Sequence, residues 1–240
     1  MFDTIILLTG QVEGVALASV LRHHNPRLEI RTAESLEEME SFEPALLRQA
    51  RLIGFITPVI VPPRILQRLG FGAYNFHPGP PHYPGWLPSH FAIYDRTKYF
   101  GVTAHLMAER VDAGPIVGVE VFDVPPNISV QGLEQLALAT LARMFWSLAP
   151  VLAKQSEPLA ELPIKWTGRK TTHRQYESMC DIAAEISKED LVRRTEAFGA
   201  GHFGLSLTVT LHGHRFRYVA PDPEAKIEAP SSARSDQRAA

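Results

Sequence analysis

Three polar residues in the middle of the chain have the types and the spacing to do chemistry. Asn75 and His77 stand two apart in "YNFHPGPPHYPG", and Asp112 follows in "VDAGP". Residues two apart on an extended strand point to the same face, so Asn75 and His77 project together, and Pro78 ends the strand just beyond them. An amide and an imidazole side by side suit a reaction that builds negative charge on a carbonyl oxygen. The amide donates a hydrogen bond, and the imidazole donates another or moves a proton. A carboxylate near a histidine raises the imidazole pKa, which suits a donor role near neutrality. Singly, each residue has an ordinary explanation: a surface histidine, a turn asparagine, an Asp-Ala-Gly turn. Their order and surroundings together suggest a site.

The segment after His77 is unusual in its own right. Pro78, Pro80, Pro81 and Pro84 remove too many N–H groups for a helix or a central strand. His77, His82 and His90 are spaced five and eight apart, which matches no zinc pattern, so no metal is expected. His82 and His90 read as polar loop residues or substrate contacts. Tyr83, Trp86 and Tyr94 are aromatics that could stack on a sugar or a base, or belong to the core.

The elements that must position these residues alternate. "TIILLTG" (4–10), "RLEIRTAE", "RLIGFIT" (51–57) and "GAYNFH" read as strands. Between them lie helical patterns over 12–26, over "SLEEMESFEPALLRQA" with Ser35 and Glu38 at capping-box spacing, and over "PPRILQRLG". This alternation predicts an α/β fold with a mostly parallel sheet, whose ligands bind at the carboxyl ends of its strands. Two further strands, "GVTAHLMAERV" and "PIVGVEVFDV", are separated by "DAG". A long helix capped by Ser129 follows, with Leu133, Leu136, Thr140, Leu141, Met144, Phe145 and Leu148 on one face. The expected organisation is a catalytic domain over 1–153, a linker over 154–165 and a small α+β unit over 166–220. That unit holds a helix capped by Ser187 and a hairpin turning at Gly213. Residues 221–240, rich in Pro, Ala, Ser and charge, are expected to be disordered.

Composition narrows the class. The 240 residues are 45% hydrophobic and 21% charged, as in a protein that buries a core. Net charge is −2, so no global basic field draws the chain to nucleic acid or membrane. The uninterrupted apolar runs, such as Ile5–Leu8, are short, and no signal peptide or membrane partner is expected. One cysteine, Cys180, fits a reducing compartment, and a cytoplasmic location is expected.

With these motifs in hand, the chain resembles the folate-dependent formyltransferases, the family of glycinamide ribonucleotide, methionyl-tRNA and nucleotide-sugar N-formyltransferases. Its signature is an Asn-x-His pair closing a strand, a loop containing proline and glycine, and an aspartate about 35 residues on in an Asp-x-Gly turn. Here these are "NFHPGPPHYPG" and "VDAGPIV", with 35 residues from His77 to Asp112. "FITPVIVPPRIL" resembles the stretch whose backbone cradles the pterin ring, and "RRTEAFGAGHFGLSLTVTLHGHRFRYV" a cut-down small domain of the tRNA and sugar enzymes. The resemblance implies a Rossmann-like formyltransferase core, shortened by about one strand–helix unit before Asn75, with 10-formyltetrahydrofolate as donor and no metal. It implies Asn75, His77 and Asp112 as the catalytic set. Thr57, Val59, Ile60, Val61, Val111 and Gly114 would contact the cofactor, and Pro78, Gly79, His82, Tyr83 and Trp86 the substrate.

The family's Gly-Ser-Asn phosphate loop after the first strand is absent from "TGQVEGVAL". The Pro-Gly-Pro-Pro after His77 is closer to the sugar-modifying branch than the usual Ser-Leu-Leu-Pro. The expected acceptor is therefore the amine of a small molecule, foremost a nucleotide-linked amino sugar. tRNA is a weaker alternative, since residues 151–240 carry 13 Lys/Arg against 12 Asp/Glu. A formyltetrahydrofolate hydrolase and a non-catalytic folate- or nucleotide-binding module stand as further alternatives, and a homodimer is left open.

Overall fold

The computed structural model describes residues 2–168, 170–202 and 204–219; the tail expected to be disordered lies outside the described residues. A six-stranded sheet forms its centre, built from β1 (Thr4–Leu8), β2 (Glu29–Ala33), β3 (Ala50–Phe55), β4 (Ala73–His77), β5 (Tyr99–Leu106) and β6 (Ile116–Asp123). The order is β2-β1-β3-β4-β5-β6, parallel from β2 through β4 and antiparallel from β4 to β6. The expected α/β class and mostly parallel sheet are both present.

The period of two in the strands sorts the core into two faces. Ile5, Leu7, Ile53, Tyr74, Phe76, Val102 and Ala104 face α1 (Gln11–His24) and α6 (Val130–Lys154). Ile6, Leu8 and Leu52 face the other way, against Met39 of α2 (Leu36–Ser41), Leu47 of α3 (Pro44–Gln49) and Ile65 of α4 (Pro63–Leu66). Alternate residues of β4 and β5, namely Asn75, His77, Thr103 and His105, project from this second face, where loops replace the helices. The α6 helix is long and apolar enough to cross a bilayer, and its apolar stripe is the one that fills the first core.

Two expectations are corrected in detail. The single helix expected from Ser35 to Ala50 is split into α2 and α3, because Pro44 lacks an N–H and occupies the first turn of a new helix. The strand expected through Val111 stops at Leu106. Met107 N–H makes its bond to Ala73, the first residue of β4, and beyond that point no strand is left to pair with.

The C-terminal unit contains α7 (His173–Cys180), β7 (Asp181–Ile182), α8 (Lys188–Phe198), β8 (Thr208–Leu211) and β9 (His214–Arg217), its short strands ordered β7-β8-β9. Its core of Tyr176, Cys180, Phe198 and Leu207 packs against Trp86, Leu87, Phe91 and Tyr94, which lie in or just before another helix, α5 (Pro88–Asp95). The Tyr94 hydroxyl donates to Asp190 over 2.6 Å, and Arg193 donates to the Tyr94 carbonyl.

Candidate active site

The structure brings Asn75, His77 and Asp112 together and adds a second imidazole that the sequence reading did not single out. In the antiparallel register, Asn75 lies opposite His105 and His77 opposite Thr103. The His105 Nε2 stands 3.3 Å from the Asn75 amide nitrogen and 3.2 Å from Asp112 Oδ1, so this one nitrogen sits between amide and carboxylate, accepting from the first when unprotonated or donating to the second when protonated. Its Nδ1 faces the Leu106 carbonyl at 2.7 Å and therefore carries a proton. The signal for His105 was its place two residues beyond Thr103 on a strand facing Asn75, visible only once the strands are paired.

His77 is pinned from both sides. Its Nε2 lies 3.0 Å from the Tyr83 carbonyl, and its Nδ1 3.5 Å from Asp112 Oδ2. Gly79 permits this packing: a Cβ there would stand 2.6 Å from His77 Nε2 and 2.8 Å from Pro88. The Thr103 hydroxyl, donating to the Gly79 carbonyl over 2.8 Å, holds the loop in place. Asp112 adopts the left-handed conformation at φ 48°, which aspartate tolerates, and accepts the Gly85 N–H over 2.7 Å. His77, His105 and Asp112 are all buried.

Burial on its own would raise the Asp112 pKa. The His77 charge interaction, the His105 contacts and the Gly85 N–H together outweigh it and hold the carboxyl down to about 2. His77 departs from the expectation of a raised pKa. Desolvation is the larger effect and lowers it, although Asp112 and the Tyr83 carbonyl pull the other way. The resting ring is therefore biased towards its neutral form, with two acceptors already in place for an imidazolium.

A cavity of about 270 Å³ opens at the carboxyl ends of the parallel strands, lined by Thr9, Gly10, Glu13, Glu34, Phe55, Ile56, Thr57 and Pro58. It adjoins the polar cluster, since a Cβ on Gly54 would stand 3.0 Å from Asn75 Oδ1 and 3.3 Å from Thr57 Cγ2. Ile56, at its edge, has φ 48°, a strained conformation for a β-branched residue.

The remaining candidates are placed as follows. Thr57 lines the cavity and its hydroxyl accepts the Val59 N–H; Ile60 is exposed, and Val61 is buried in the second core. Val111 is half-buried, and the Gly114 carbonyl accepts the Trp166 indole N–H over 2.9 Å. Among the substrate candidates, Pro78 is half-buried, Gly79 is packed under His77 and His82 is exposed. Tyr83 is committed to packing, its ring in the first core and its hydroxyl donating to Asp95. Trp86 packs against Tyr176 and His173, and Tyr94 binds Asp190, so both serve the junction with the C-terminal unit. Among the described residues, no group of three or more His, Cys, Asp or Glu side chains is arranged to hold a metal ion.

A family model described as formyl transferase matches residues 10–144, more than half of the chain. The chain belongs to the formyl transferase family. Over 172 residues it is 37% identical to a methionyl-tRNA formyltransferase of Halalkalibacterium halodurans, covering 70% of this chain and 49% of that protein. The chain spans about half the length of the curated relatives it matches first. Among solved structures, a sugar N-formyltransferase from a Shewanella species superposes with a TM-score of 0.75 at 15% identity, covering 94% of this chain and 100% of the other. An N-formyltransferase from Helicobacter canadensis, solved with folinic acid and dTDP-3-aminofucose, superposes with a TM-score of 0.60 at 16% identity, covering 82% and 81%. At these identities the two structures establish likeness of fold.

Proposed function

We propose that this chain transfers a formyl group from 10-formyltetrahydrofolate to the amine of a small acceptor, foremost an amino sugar on a nucleotide carrier. The observation that carries the chemistry is the cluster of half-buried Asn75 with buried His105, Asp112 and His77 at the carboxyl end of β4. The acceptor amine attacks the formyl carbon, and the Asn75 amide stabilises the oxyanion that forms. Neutral His77 takes the amine proton on Nδ1 while its Nε2–H stays on the Tyr83 carbonyl. The resulting imidazolium is stabilised by Asp112, whose depressed pKa keeps it ionised throughout. As the oxyanion collapses and the C–N bond to the folate breaks, the imidazolium returns its proton to the leaving nitrogen and His77 is neutral again.

A small acceptor is favoured by the strand-end cavity. Glu13 and Glu34 there offer carboxylate acceptors for hydroxyl and amine groups. The sugar N-formyltransferases among the structural neighbours support the same reading. A methionyl-tRNA acceptor is the second reading, favoured by the names of the sequence relatives.

The deciding experiment incubates the protein with 10-formyltetrahydrofolate and, separately, dTDP- and UDP-linked amino sugars, methionyl-tRNA, or no acceptor. Products are read by mass spectrometry. Formylated sugar nucleotide supports the first reading and formyl-methionyl-tRNA the second. Formate released equally in every arm identifies a hydrolase, and no product in any arm a binding module.

A further inference from the structure

Among the described residues between α6 and α7, 155–168 and 170–172, there is no helix or strand, yet this segment lies across the site. Four prolines in the loop after His77 supply carbonyl acceptors without N–H donors, so the loop meets only part of its own need, with the Tyr83 N–H on the Pro80 carbonyl. The crossing segment donates instead. Thr167 and Gly168 N–H groups reach the Pro81 carbonyl, the Thr171 N–H and hydroxyl reach the Pro84 carbonyl, and Trp86 N–H returns a bond to Thr171. Gly168 is pressed so closely that a Cβ would meet the His82 carbonyl at 1.7 Å. Further back, the Leu162 N–H holds the Ile116 carbonyl.

This strap places Trp166 on the cluster. Its indole donates to the Gly114 carbonyl, two residues after Asp112, over 2.9 Å. The same ring meets His77 at a centroid distance of 5.8 Å and His105 at 5.0 Å, edge to face in both cases. One aromatic side chain thus touches both imidazoles and ties down the turn that carries the carboxylate.

Resting on the formyl-transfer reading, we propose that Trp166 is a positioning residue that seals the His77–Asp112–His105 cluster from water, so that the formyl group passes to an amine and not to solvent. In the suppressed reaction, a water oxygen attacks the formyl carbon and the C–N bond to the folate breaks. The nitrogen takes a proton, and formate and tetrahydrofolate leave. The groups facing His77 are Asp112 from the 107–115 loop, His105 from β5 and the Tyr83 carbonyl from the proline loop. Trp166 is the apolar member of the enclosure. Removing it admits water, which relieves the burial that depresses His77.

The test compares wild type with Trp166→Ala, Trp166→Leu and Trp166→Phe, each checked for folding by circular dichroism and melting. The probe is 10-formyltetrahydrofolate without acceptor, read as tetrahydrofolate release, alongside NMR titration of the histidine rings. In Trp166→Ala, release should rise by at least about tenfold, and the His77 titration should move up towards about 6.5. Trp166→Phe, which keeps an aromatic cover, should stay near wild type in both. Should Trp166→Ala not fold, Trp166→Leu gives the same readings. An unmoved His77 titration in a folded Trp166→Ala or Trp166→Leu overturns the proposal, as does a moved titration with unchanged release. If wild type neither binds nor turns over the donor, the formyl-transfer reading fails, and the titration still decides whether Trp166 seals the cluster.

Discussion

Both imidazoles of the cluster face fixed acceptors, and this sets what each can do. His105 donates its Nδ1–H to a backbone carbonyl and turns Nε2 between Asn75 and Asp112, where an unprotonated nitrogen accepts from the amide and a protonated one donates to the carboxylate. His77 has a carbonyl on one nitrogen and a carboxylate near the other, while burial keeps it short of its second proton. That is the arrangement of a base awaiting a proton, and it fixes the sign of the pH profile. A base with a lowered pKa is competent at neutrality, so kcat/KM should stay flat near pH 7 and fall only below about 6.5. A charged donor would show the reverse, a loss as pH rises; a fall in kcat/KM between pH 7 and 8 would therefore remove His77 from the role of base. Asn75→Ala should lower kcat about 10²–10³-fold, and His77→Ala about 10²–10⁴-fold. On the proposed mechanism the residues act on one intermediate, so His77→Ala/Asp112→Asn should be much less than multiplicatively worse than its parents. Melting curves run beside the rates separate this from unfolding. Asn75, His77 and Asp112 were legible from type, spacing and the strand period. His105 was not, since its partnership comes from the β4–β5 register, which joins residues 30 apart.

At the scale of elements, the parallel core could be read because its apolar periods are local. What escaped reading are the polar contacts between elements. Arg51 opens the apolar run of β3 and is fully buried. It donates to the carbonyls of Phe71, Leu152, Ser156 and Glu157, and its guanidinium lies 4.6 Å over the Phe2 ring. It therefore closes the carboxyl end of α6 and anchors the start of the strap to the sheet. Arg51→Met leaves those carbonyls without donors and should cost at least about 3 kcal/mol. Arg51→Lys, lacking the planar fork, should restore only part of it in chemical denaturation. Full stability in Arg51→Met would show that water replaces the guanidinium without penalty. His90 on α5 marks the junction with the C-terminal unit. Its Nδ1 has no hydrogen-bond partner among the described residues, Glu134 stands 3.7 Å away, and the ring meets Tyr176, Phe198 and His202. Burial, then His202, pushes its pKa down to about 4. The stability linked to a depressed histidine is present above its unfolded value of about 6.5 and lost as pH falls towards 4. His90→Phe removes the titrating group and keeps the ring, so its melting temperature should fall less steeply than wild type between pH 6.5 and 4. Parallel curves would place the acid sensitivity elsewhere.

At the scale of the molecule, the segment expected to be a linker over 154–165 is tied to the sheet and leads into Thr167, Gly168 and Thr171, which donate hydrogen bonds to the proline loop. Composition marks it as a spacer, because its partners, the Tyr74 hydroxyl for Leu159 N–H and the Ile116 carbonyl for Leu162 N–H, are distant in sequence and leave no local pattern. The same contacts make ligand binding a property of the whole fold. The cavity is bounded by loops from β1, β2 and β3, while the cluster beside it is held by β4, β5, the 107–115 loop and the strap. A reduced folate bound beside the cluster should stabilise these elements together against unfolding, since the unfolded chain holds none of them in place. With 5-formyltetrahydrofolate at about 100 times its dissociation constant, the gain should be roughly 2.7 kcal/mol. For a chain of this size that corresponds to a rise in melting temperature of about 5–11 °C. Arg51→Met, destabilised at a distance from the cavity, should show a similar rise from its lower starting point if it still binds with the same affinity. Differential scanning calorimetry across a titration of the folate checks both, and a wild-type transition that does not move at saturation would count against folate as the donor.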